Sequence, residues 1–212
     1  MIGIYGGTFD PVHYGHLRTA LEVKEAISLN EVRFIPCRLP PHRREPCFNP
    51  RQRLEFLKIA TADQPGFMVD TRELKRPGPS YMVDTLTSLR QEIGDRPMCL
   101  IVGLDAFLGL PTWHCWEDLF DLAHLVVMDR PGYRPQWQPS LKPHVESRTA
   151  DESTMLQNRS AGRVFFLRVT RLEISGTHIR QCLAAGRNPR YLLPDQVLAL
   201  IVKGRSFLPD EG

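Results

Sequence analysis

The chain has 212 residues, of which 42% are hydrophobic and 24% are charged, and this composition is typical of one folded domain rather than of a disordered protein. The net charge of +3 is small for a protein that binds nucleic acid along a basic surface. No stretch approaches the ~18 apolar residues of a membrane span. We therefore expect a single domain over residues 1–212, with no nucleic-acid partner and no membrane association.

The cysteine content indicates a reducing compartment. The five cysteines are an odd number and contain no CxxC pair, which argues against a disulfide framework and against a zinc ribbon. The first residues lack the basic and apolar segments of a secretory signal. We therefore expect free thiols in a cytoplasmic protein.

Arginines concentrate in two segments of the chain. Residues 38–53 contain five arginines against Glu45, and residues 159–190 contain seven against Glu173. On a nearly neutral protein, two local basic segments favour a phosphate-rich small ligand. For any single arginine, a solvated position on the surface is the simpler interpretation.

Strands and helices alternate in the first half of the chain. Short apolar runs that end at glycine, proline or aspartate predict strands, and one-sided apolar spacing predicts helices. Asn49 is placed to cap a helix whose first residue is Pro50. The predicted elements are a strand over 1–5 ending at Gly6-Gly7, a helix over Tyr14–Leu29, a strand over Glu31–Ile35, a loop over 38–48, a helix to about Ala62 and a strand over Phe67–Asp70.

The second half continues the alternation. Ser80 is placed to cap a helix with an apolar stripe at Met82, Leu86, Leu89 and Ile93. Residues 130–162 have weak periodicity and are predicted as a long loop or a poorly packed excursion. The other predicted elements are strands over Met98–Val102, Leu125–Met128 and Val164–Val169, short helices over Leu104–Leu110 and Trp116–Leu122, and helices over Ser175–Ala185 and Pro194–Val202.

This alternation predicts an α/β fold with a doubly wound parallel sheet. In such a sheet the ligand binds beyond the carboxyl ends of the strands, where the strand order reverses. Three segments are expected at that edge: Gly6–His16, Gly103–Asp105 and the residues near Ser175.

The segment Gly6-Gly7-Thr8-Phe9-Asp10-Pro11-Val12-His13-Tyr14-Gly15-His16 connects the first strand to the first helix. Its glycines allow close approach of a ligand to main-chain amides, and the helix start adds free N–H groups. His13 and His16 can face the same side and donate hydrogen bonds to phosphate oxygens. A metal pair or two structural histidines are the alternatives, but no third ligand stands at a convincing spacing. Neither G-x-G-x-x-G nor GxxxxGK[ST] occurs.

This segment resembles the signature of the nucleotidyltransferase superfamily that carries a His-x-Gly-His element. A second segment, Ile174-Ser175-Gly176-Thr177-His178-Ile179-Arg180, resembles the Ile-Ser-x-Thr-x-Ile-Arg element of the same enzymes. The resemblance implies a Rossmann-like nucleotidyltransferase fold with a small C-terminal helical part. It also implies that the Ser and Thr cap a helix whose N-terminus meets the ATP phosphates, and that the Arg pairs with them.

The middle of the chain resembles the bacterial nicotinate mononucleotide adenylyltransferase family. The matching segments are Pro40-Pro41-His42-Arg43, Ser80-Tyr81-Met82-Val83-Asp84-Thr85-Leu86, Gly103-Leu104-Asp105 and Pro111-Thr112-Trp113-His114. Gly176 stands where the family usually has a second Ser, and Arg43 where it usually has Lys. Residues 130–162 match no part of the family pattern.

The resemblance implies a reaction and a set of site residues. The reaction transfers AMP from ATP to nicotinate mononucleotide, giving deamido-NAD and pyrophosphate, with Mg²⁺ bound mainly through ATP phosphates and water and no protein metal ligand expected. The catalytic residues implied are His13, His16 and Arg180. The ATP-binding residues implied are Gly6, Gly7, Thr8, Phe9, His13, His16, Gly103, Asp105, Ile174, Ser175, Thr177 and Arg180. The residues implied for the second substrate are His42, Arg43, Asp84, Thr85, Trp113 and His114.

Other interpretations stay open from the sequence. A sibling adenylyltransferase, such as one that uses phosphopantetheine, shares both terminal signatures, and a nucleotide-binding regulator could keep the fold without turnover. Trp113 could serve only for packing, and Asp84 and Thr85 could be ordinary helix positions. The sequence also allows a homo-oligomer.

Overall fold

In the computed structural model, which describes residues 1–40, 45–129, 137–170 and 172–204, six strands form one parallel sheet. The strands are β1 (Ile2–Gly7), β2 (Glu31–Pro36), β3 (Phe67–Val69), β4 (Met98–Gly103), β5 (His124–Asp129) and β6 (Val164–Arg168). Their order is β3-β2-β1-β4-β5-β6, and every neighbouring pair is parallel. The predicted doubly wound α/β fold is therefore confirmed, and the strand order reverses between β1 and β4.

Helices cover both faces of this sheet. They are α1 (Tyr14–Ala26), α2 (Pro50–Thr61), α3 (Arg72–Lys75), α4 (Met82–Ile93), α5 (Leu104–Leu108), α6 (Leu119–Leu122), α7 (Lys142–Arg148), α8 (Gly176–Ala184) and α9 (Asp195–Lys203). One hydrophobic cluster packs α1, α2, α8 and α9 on the sheet, and a second packs α4 to α7 on the opposite face. Among the described residues, no helix has the length and apolar character needed to cross a bilayer.

The two clusters follow from strict alternation along the buried strands. In β4, Cys99 and Ile101 join the cluster under α1, whereas Leu100 and Val102 join the cluster under α4. Successive side chains of a strand point to opposite faces, so a strand covered on both faces must be apolar throughout. Each fully buried side chain of this kind stabilises the fold by roughly 1.5–3 kcal/mol. The sheet is thus a rigid base, and the loops after β1 and β4 lie at the same edge.

Two of the predicted helix caps are present. Asn49 Oδ1 accepts a hydrogen bond from the Gln52 amide, and Pro50 is the first residue of α2. Ser175 Oγ accepts from the His178 amide at 3.1 Å and begins α8. Both side chains satisfy an N–H group that the helix itself leaves without a partner.

The prediction that Ser80 caps α4 is wrong. Tyr81 is the N-cap residue, and the Ser80 hydroxyl accepts instead from the main-chain N–H of Arg38 at 2.9 Å. The hydroxyl therefore ties the turn before α4 to the residues that follow β2. A cap and a tertiary contact use the same hydroxyl, and local sequence does not distinguish them.

Several predicted helix boundaries also differ from the structure. Helix α1 stops at Ala26, because Ser28 has a φ of 54° and lies in the left-handed region. Helix α9 begins at Asp195, with Pro194 as its N-cap. Near Pro111, α5 ends at Leu108 and is followed by a 3₁₀ turn over Leu110–Thr112, and a 3₁₀ turn over Trp116–Asp118 precedes α6. Helix α3 has no counterpart among the predicted elements.

The predicted long loop over residues 130–162 is wrong for the residues that the structure describes there. Helix α7 and a 3₁₀ turn over Ser153–Leu156 lie in this region. Leu141, Val145 and Leu156 are buried, and they join the two hydrophobic clusters. A two-turn helix with one buried position shows no periodicity, so its contacts with the sheet decide its structure.

Candidate active site

A continuous cleft lies beyond the carboxyl ends of β1 and β4. One part encloses about 640 Å³ and is lined by the loop after β1, the start of α1 and the start of α8. A second part of about 500 Å³ extends towards the ends of β4 and β5. The two parts share Tyr5, His13, His16, Asp105, Ile174 and Ser175. The cleft therefore joins segments from opposite ends of the chain, at the edge where the fold predicts a ligand.

Gly6 and Gly7, the last two residues of β1, pack closely against neighbouring side chains. A Cβ on Gly6 would lie 2.4 Å from Met82 Cε, and a Cβ on Gly7 would lie 3.0 Å from the ring of Phe9. Phe9 is buried and has a φ of 50°, so the loop folds its ring back under the glycines. Gly6, Gly7, Thr8 and Phe9 all line the cleft, and their predicted contact with ATP stays a prediction.

The two histidines of the first motif stack on each other at the start of α1. Their ring centroids are 3.7 Å apart, and the main-chain N–H of His13 donates to His16 Nδ1 at 3.3 Å. Because Nδ1 accepts this hydrogen bond, Nε2 carries the proton of the neutral His16 ring. His16 lines both parts of the cleft. The arrangement gives His16 a fixed tautomer with a donor nitrogen.

His13 is held in the uncharged form. Its side chain is 6% exposed, and burial lowers its pKa from 6.5 to about 4. Within the described residues, Nδ1 of His13 has no hydrogen-bond partner. A Cβ on Gly15 would lie 2.9 Å from that nitrogen, which explains a glycine between the two histidines. His13 therefore brings no positive charge to the cleft at neutral pH.

Arg180 brings a positive charge to the cleft from α8. Its guanidinium donates to the Asp10 carbonyl and lies 3.2 Å from Asp10 Oδ2. Its other amino group donates to Thr177 Oγ1 at 3.2 Å. Thr177 therefore orients the arginine. The expectation that it caps the helix together with Ser175 is wrong, because Ser175 alone has that role in the structure.

Asp10 connects three segments around the cleft. Its two carboxylate oxygens accept from the amides of Cys47 and Phe48, at 3.0 and 2.8 Å, and it also pairs with Arg180. A Cβ on Gly176 would lie 2.6 Å from the Asp10 carbonyl oxygen, so the glycine permits this close approach. Among the described residues, no group of three or more His, Cys, Asp or Glu side chains could hold a metal ion.

The residues expected around the nucleoside lie at the other end of the cleft. Asp105 is in the first turn of α5 and lines both parts of the cleft. Gly103 is the N-cap of α5, and a Cβ there would meet open space. Ile174 precedes the cap of α8 and lines both parts as well.

The residues expected for the second substrate form a separate group beside the cleft. The rings of Tyr81 and His114 are 4.4 Å apart, so the start of α4 meets the segment after α5. Trp113 is half-buried against the cluster under α4. Asp84 lies 3.8 Å from Arg76.

Thr85 is the buried member of that group. Its hydroxyl donates to Glu73 at 2.7 Å, and its amide donates to the Tyr81 carbonyl at 3.3 Å. The contact of Met82 with Gly6 places the start of α4 next to the loop after β1. His42 and Arg43 lie outside the described residues.

Residues 4–182 of the chain match the sequence model of the family described as cytidylyltransferase-like. The chain belongs to this family. Among its relatives, the protein named "Probable nicotinate-nucleotide adenylyltransferase" from Methylococcus capsulatus is 59% identical over 202 residues, which are 95% of this chain and 96% of the relative. The protein with the same name from Halorhodospira halophila is 52% identical over 202 residues, 95% of this chain and 93% of the relative. These relatives confirm the family resemblance predicted from the motifs.

Solved structures share the same fold. The nicotinic acid mononucleotide adenylyltransferase of Plasmodium falciparum, complexed with NaAD, has a TM-score of 0.72 with 15% sequence identity over 97% of this chain and 96% of that chain. The same enzyme complexed with APC has a TM-score of 0.70, with the same identity and coverage. At this level of identity the likeness establishes the fold alone.

Sequence reasoning missed two contacts of this family member that shape the cleft. The first is the pairing of Asp10 with Arg180, residues 170 positions apart in the chain. The second is Arg53, which is fully buried under the loop after β1. A signal for Arg53 was present, because it precedes Phe56 and Leu57 by three and four residues and so lies on the apolar face of α2.

Proposed function

We propose that this chain transfers the adenylyl group of ATP to nicotinate mononucleotide, giving deamido-NAD and pyrophosphate in NAD biosynthesis. An oxygen of the mononucleotide phosphate attacks the α-phosphorus of ATP, the bond between that phosphorus and the α–β bridging oxygen breaks, and pyrophosphate leaves with the electron pair. The observation that carries the proposal is the single cleft in which His16 and Arg180 meet. The relatives that bear this activity's name support the choice of substrate.

The cleft supplies what this reaction needs. The attacking phosphate is already an anion, so the reaction requires positioning and charge stabilisation rather than a strong base. His16 Nε2 donates to an α-phosphate oxygen as charge develops there. When ATP binds, Arg180 gives up its ion pair with Asp10 and pairs with the β- and γ-phosphates. The N-terminal amides of α8 bind the same phosphates. Mg²⁺ bound to the phosphates and to water would neutralise part of their charge.

The group of residues at the start of α4 would bind the pyridine nucleotide. Trp113 stacks on the ring, the amides of Thr85 and His114 receive the carboxylate, and Asp105 contacts a ribose. The Thr85 amide already donates to Tyr81, at a long 3.3 Å, so the carboxylate must share or replace this hydrogen bond. His42 and Arg43, which the resemblance also implies for the second substrate, would close over the site from the 38–48 segment.

The setting of the reaction is also proposed. The five cysteines form no disulfide bond in the structure, and we propose a cytoplasmic enzyme on the basis of their odd number and spacing. ATP and nicotinate mononucleotide are its partners, with no nucleic acid, and the chain can act as a monomer or a homo-oligomer.

A pyrophosphate-release assay with ATP and Mg²⁺ tests the function. Nicotinate mononucleotide, nicotinamide mononucleotide and phosphopantetheine are offered in parallel, and His16→Ala serves as the low-activity control. Because N–H groups read a carboxylate, we expect the nicotinate substrate to exceed the nicotinamide substrate in kcat/KM by at least ~10-fold, or ~1.4 kcal/mol. Equal values, or a preference for phosphopantetheine, would reject the substrate. ATP binding without any turnover would instead indicate a regulator.

Trp113→Ala tests the pyridine site. Stacking of aromatic rings contributes ~0.5–1.5 kcal/mol, so we expect KM for nicotinate mononucleotide to rise ~2- to 10-fold while ATP binding is kept. Trp116→Ala is the matched control, since Trp116 packs against Phe120 in the same cluster. It should reduce stability without changing that KM. A loss of ATP binding or of folding in Trp113→Ala would assign Trp113 to packing.

A further inference from the structure

Arg53 is a fully buried arginine whose guanidinium binds the main chain of three separate segments. It lies on the inner face of α2 and is 0% exposed. Its Nε donates to the Phe48 carbonyl at 3.0 Å, its Nη1 to the carbonyls of Thr8 and Cys37 at 2.8 Å each, and its Nη2 to the Arg38 carbonyl at 3.4 Å. The planar fork of the guanidinium can reach all of these acceptors at once.

The charge of Arg53 is met by carbonyl dipoles. Within the described part of the chain, its side chain donates four hydrogen bonds to main-chain oxygens and also interacts with the Cys37 side chain, while the Asp10 carboxylate attracts its charge. A buried cation is costly to keep, and replacing it with an apolar side chain is often neutral for stability or even favourable. Screening by solvent is also weak in the interior, so its charge acts over a longer distance than that of a surface arginine. A role beyond packing would account for such a residue.

Each of the three segments that Arg53 binds lies in the lining of the phosphate part of the cleft or next to it. Thr8 belongs to the loop whose glycines line it. Cys37 and Arg38 follow β2, where the 38–48 segment begins. Phe48 stands at the end of that segment, and its amide donates to Asp10, which pairs with Arg180. The guanidinium of Arg53 therefore holds the loop that contains Thr8 and both ends of the 38–48 segment.

We propose that Arg53 is a positioning residue for the triphosphate of ATP. It holds the Thr8 carbonyl turned away from the cleft, so that the Gly6–Phe9 loop keeps one conformation, and it places a permanent positive charge beneath that loop. The inference rests on the proposed function, because it assigns the anion in this part of the cleft to ATP. Loss of a residue that only fills the core would weaken the binding of ATP and of the second substrate alike, whereas loss of Arg53 should weaken ATP binding much more.

Two variants separate geometry from charge. Arg53→Lys keeps the charge but loses the fork, and Arg53→Met loses both. His124→Gln is the control, because His124 is also fully buried and hydrogen-bonded to the main chain, at the opposite end of the sheet. For each protein, the Kd of an ATP analogue with a methylene bridge between the α- and β-phosphorus is measured by calorimetry, together with KM for nicotinate mononucleotide and Tm.

We expect Arg53→Lys to raise the Kd of the analogue ~10- to 100-fold, the effect typical of a displaced binding group, and Arg53→Met to raise it further. KM for nicotinate mononucleotide should rise by a clearly smaller factor than the Kd, because Arg53 also holds the ends of the segment that carries His42 and Arg43. His124→Gln should lower Tm without changing the Kd. An unchanged Kd in Arg53→Lys, a parallel loss for both substrates, or failure of both Arg53 variants to fold would each overturn the proposal. The calorimetric Kd does not depend on turnover, so a wild-type protein that fails to use nicotinate mononucleotide would reject the proposed function separately.

Discussion

The two stacked histidines, His13 and His16, have the same side chain but different roles. His13 is buried and uncharged at the start of α1, and its main-chain N–H fixes the tautomer of His16. His16 remains at the cleft surface with Nε2 as its donor. The sequence motif alone treats the two residues as equivalent, and the difference in burial separates them.

The first prediction concerns His16. Removing one donor that stabilises a transition state typically costs ~10²- to 10³-fold in kcat, so we expect His16→Ala to lose ~10²-fold or more with only a modest change in ATP affinity. Steady-state pyrophosphate release measures the loss. His178→Ala is the matched control, because His178 is an exposed histidine on α8. Near-normal turnover in His16→Ala would refute this role.

The second prediction concerns the pH dependence of stability. The unfolded chain protonates His13 near pH 6.5, whereas the folded chain does so only near pH 4. The unfolded state therefore binds more protons in this window, and the free energy of unfolding falls as the pH falls from 6.5 to 4. Between pH 7 and pH 5, His13 should account for about 2 kcal/mol of the loss.

Urea unfolding of His13→Gln at the two pH values measures this contribution. The variant should show a shallower pH dependence than the wild type, even where its stability at pH 7 is lower. His178→Gln should keep the wild-type dependence, because His178 is exposed. Identical pH dependence in His13→Gln and the wild type would show that the burial of His13 has no such effect.

At the scale of the elements, the contact between α8 and the loop after β1 shapes the phosphate site. Gly176 lets the helix start approach the Asp10 carbonyl, and Arg180 then reaches Asp10 from the next turn. The family pattern usually has Ser at this position, and the sequence alone suggests only a missing hydroxyl. The structure gives another reason, because the added Cβ would meet a main-chain oxygen that cannot rotate away.

The third prediction follows from this contact. Gly176→Ala should lower the free energy of unfolding by ~1–3 kcal/mol, the usual cost of overpacking, and should raise KM for ATP. Gly109→Ala is the control, since a Cβ there would make contacts of 3.5 Å or longer at a φ of −83°. Urea unfolding measures both. A Gly176→Ala chain as stable as the wild type would show that α8 can move away from Asp10 at no cost.

Elements that bury a long apolar run could be predicted, and elements that depend on distant contacts could not. The run Met98–Val102 predicts a buried strand by itself, and Asn49-Pro50 predicts a helix start. Helix α7 has one buried residue, Val145, so its sequence resembles a loop. Ser80 has the right residue type for a cap, but Arg38 lies 42 residues away and takes its hydroxyl.

At the scale of the whole molecule, the position of the cleft could be predicted and its internal pairing could not. Parallel strands in alternating order bring the loops after β1 and β4 to one edge, whatever their residues are. Which acid pairs with Arg180 depends on the approach of α8, and Asp10 is 170 residues away. The contacts of Arg53 depend in the same way on carbonyls of other segments, of which Thr8 is 45 residues away.

The fourth prediction uses this joining of the two ends of the chain. A ligand at 100 times its Kd stabilises the folded state by ~2.7 kcal/mol, so a non-hydrolysable ATP analogue should raise Tm. Arg180→Ala removes charged hydrogen bonds worth ~1.5–3 kcal/mol and should abolish most of this shift at the same analogue concentration. Arg187→Ala, an exposed arginine just beyond α8, should leave the shift intact. An equal shift in Arg180→Ala would place the triphosphate elsewhere.

The distribution of thiols allows the phosphate part of the cleft and the separate group of residues beside it to be observed with fluorescent labels. Cys37, Cys99 and Cys182 are buried, so these three thiols resist alkylation. Burial also raises the pKa of the Cys99 thiol to about 12. Cys47 and Cys115 are exposed, one bonded through its amide to Asp10 and the other beside His114. A maleimide dye on Cys47, with Cys115 changed to serine, would report the arrival of the triphosphate. A dye on Cys115, with Cys47 changed to serine, would report the binding of the pyridine ring. The order in which the two substrates bind could then be measured in one stopped-flow series.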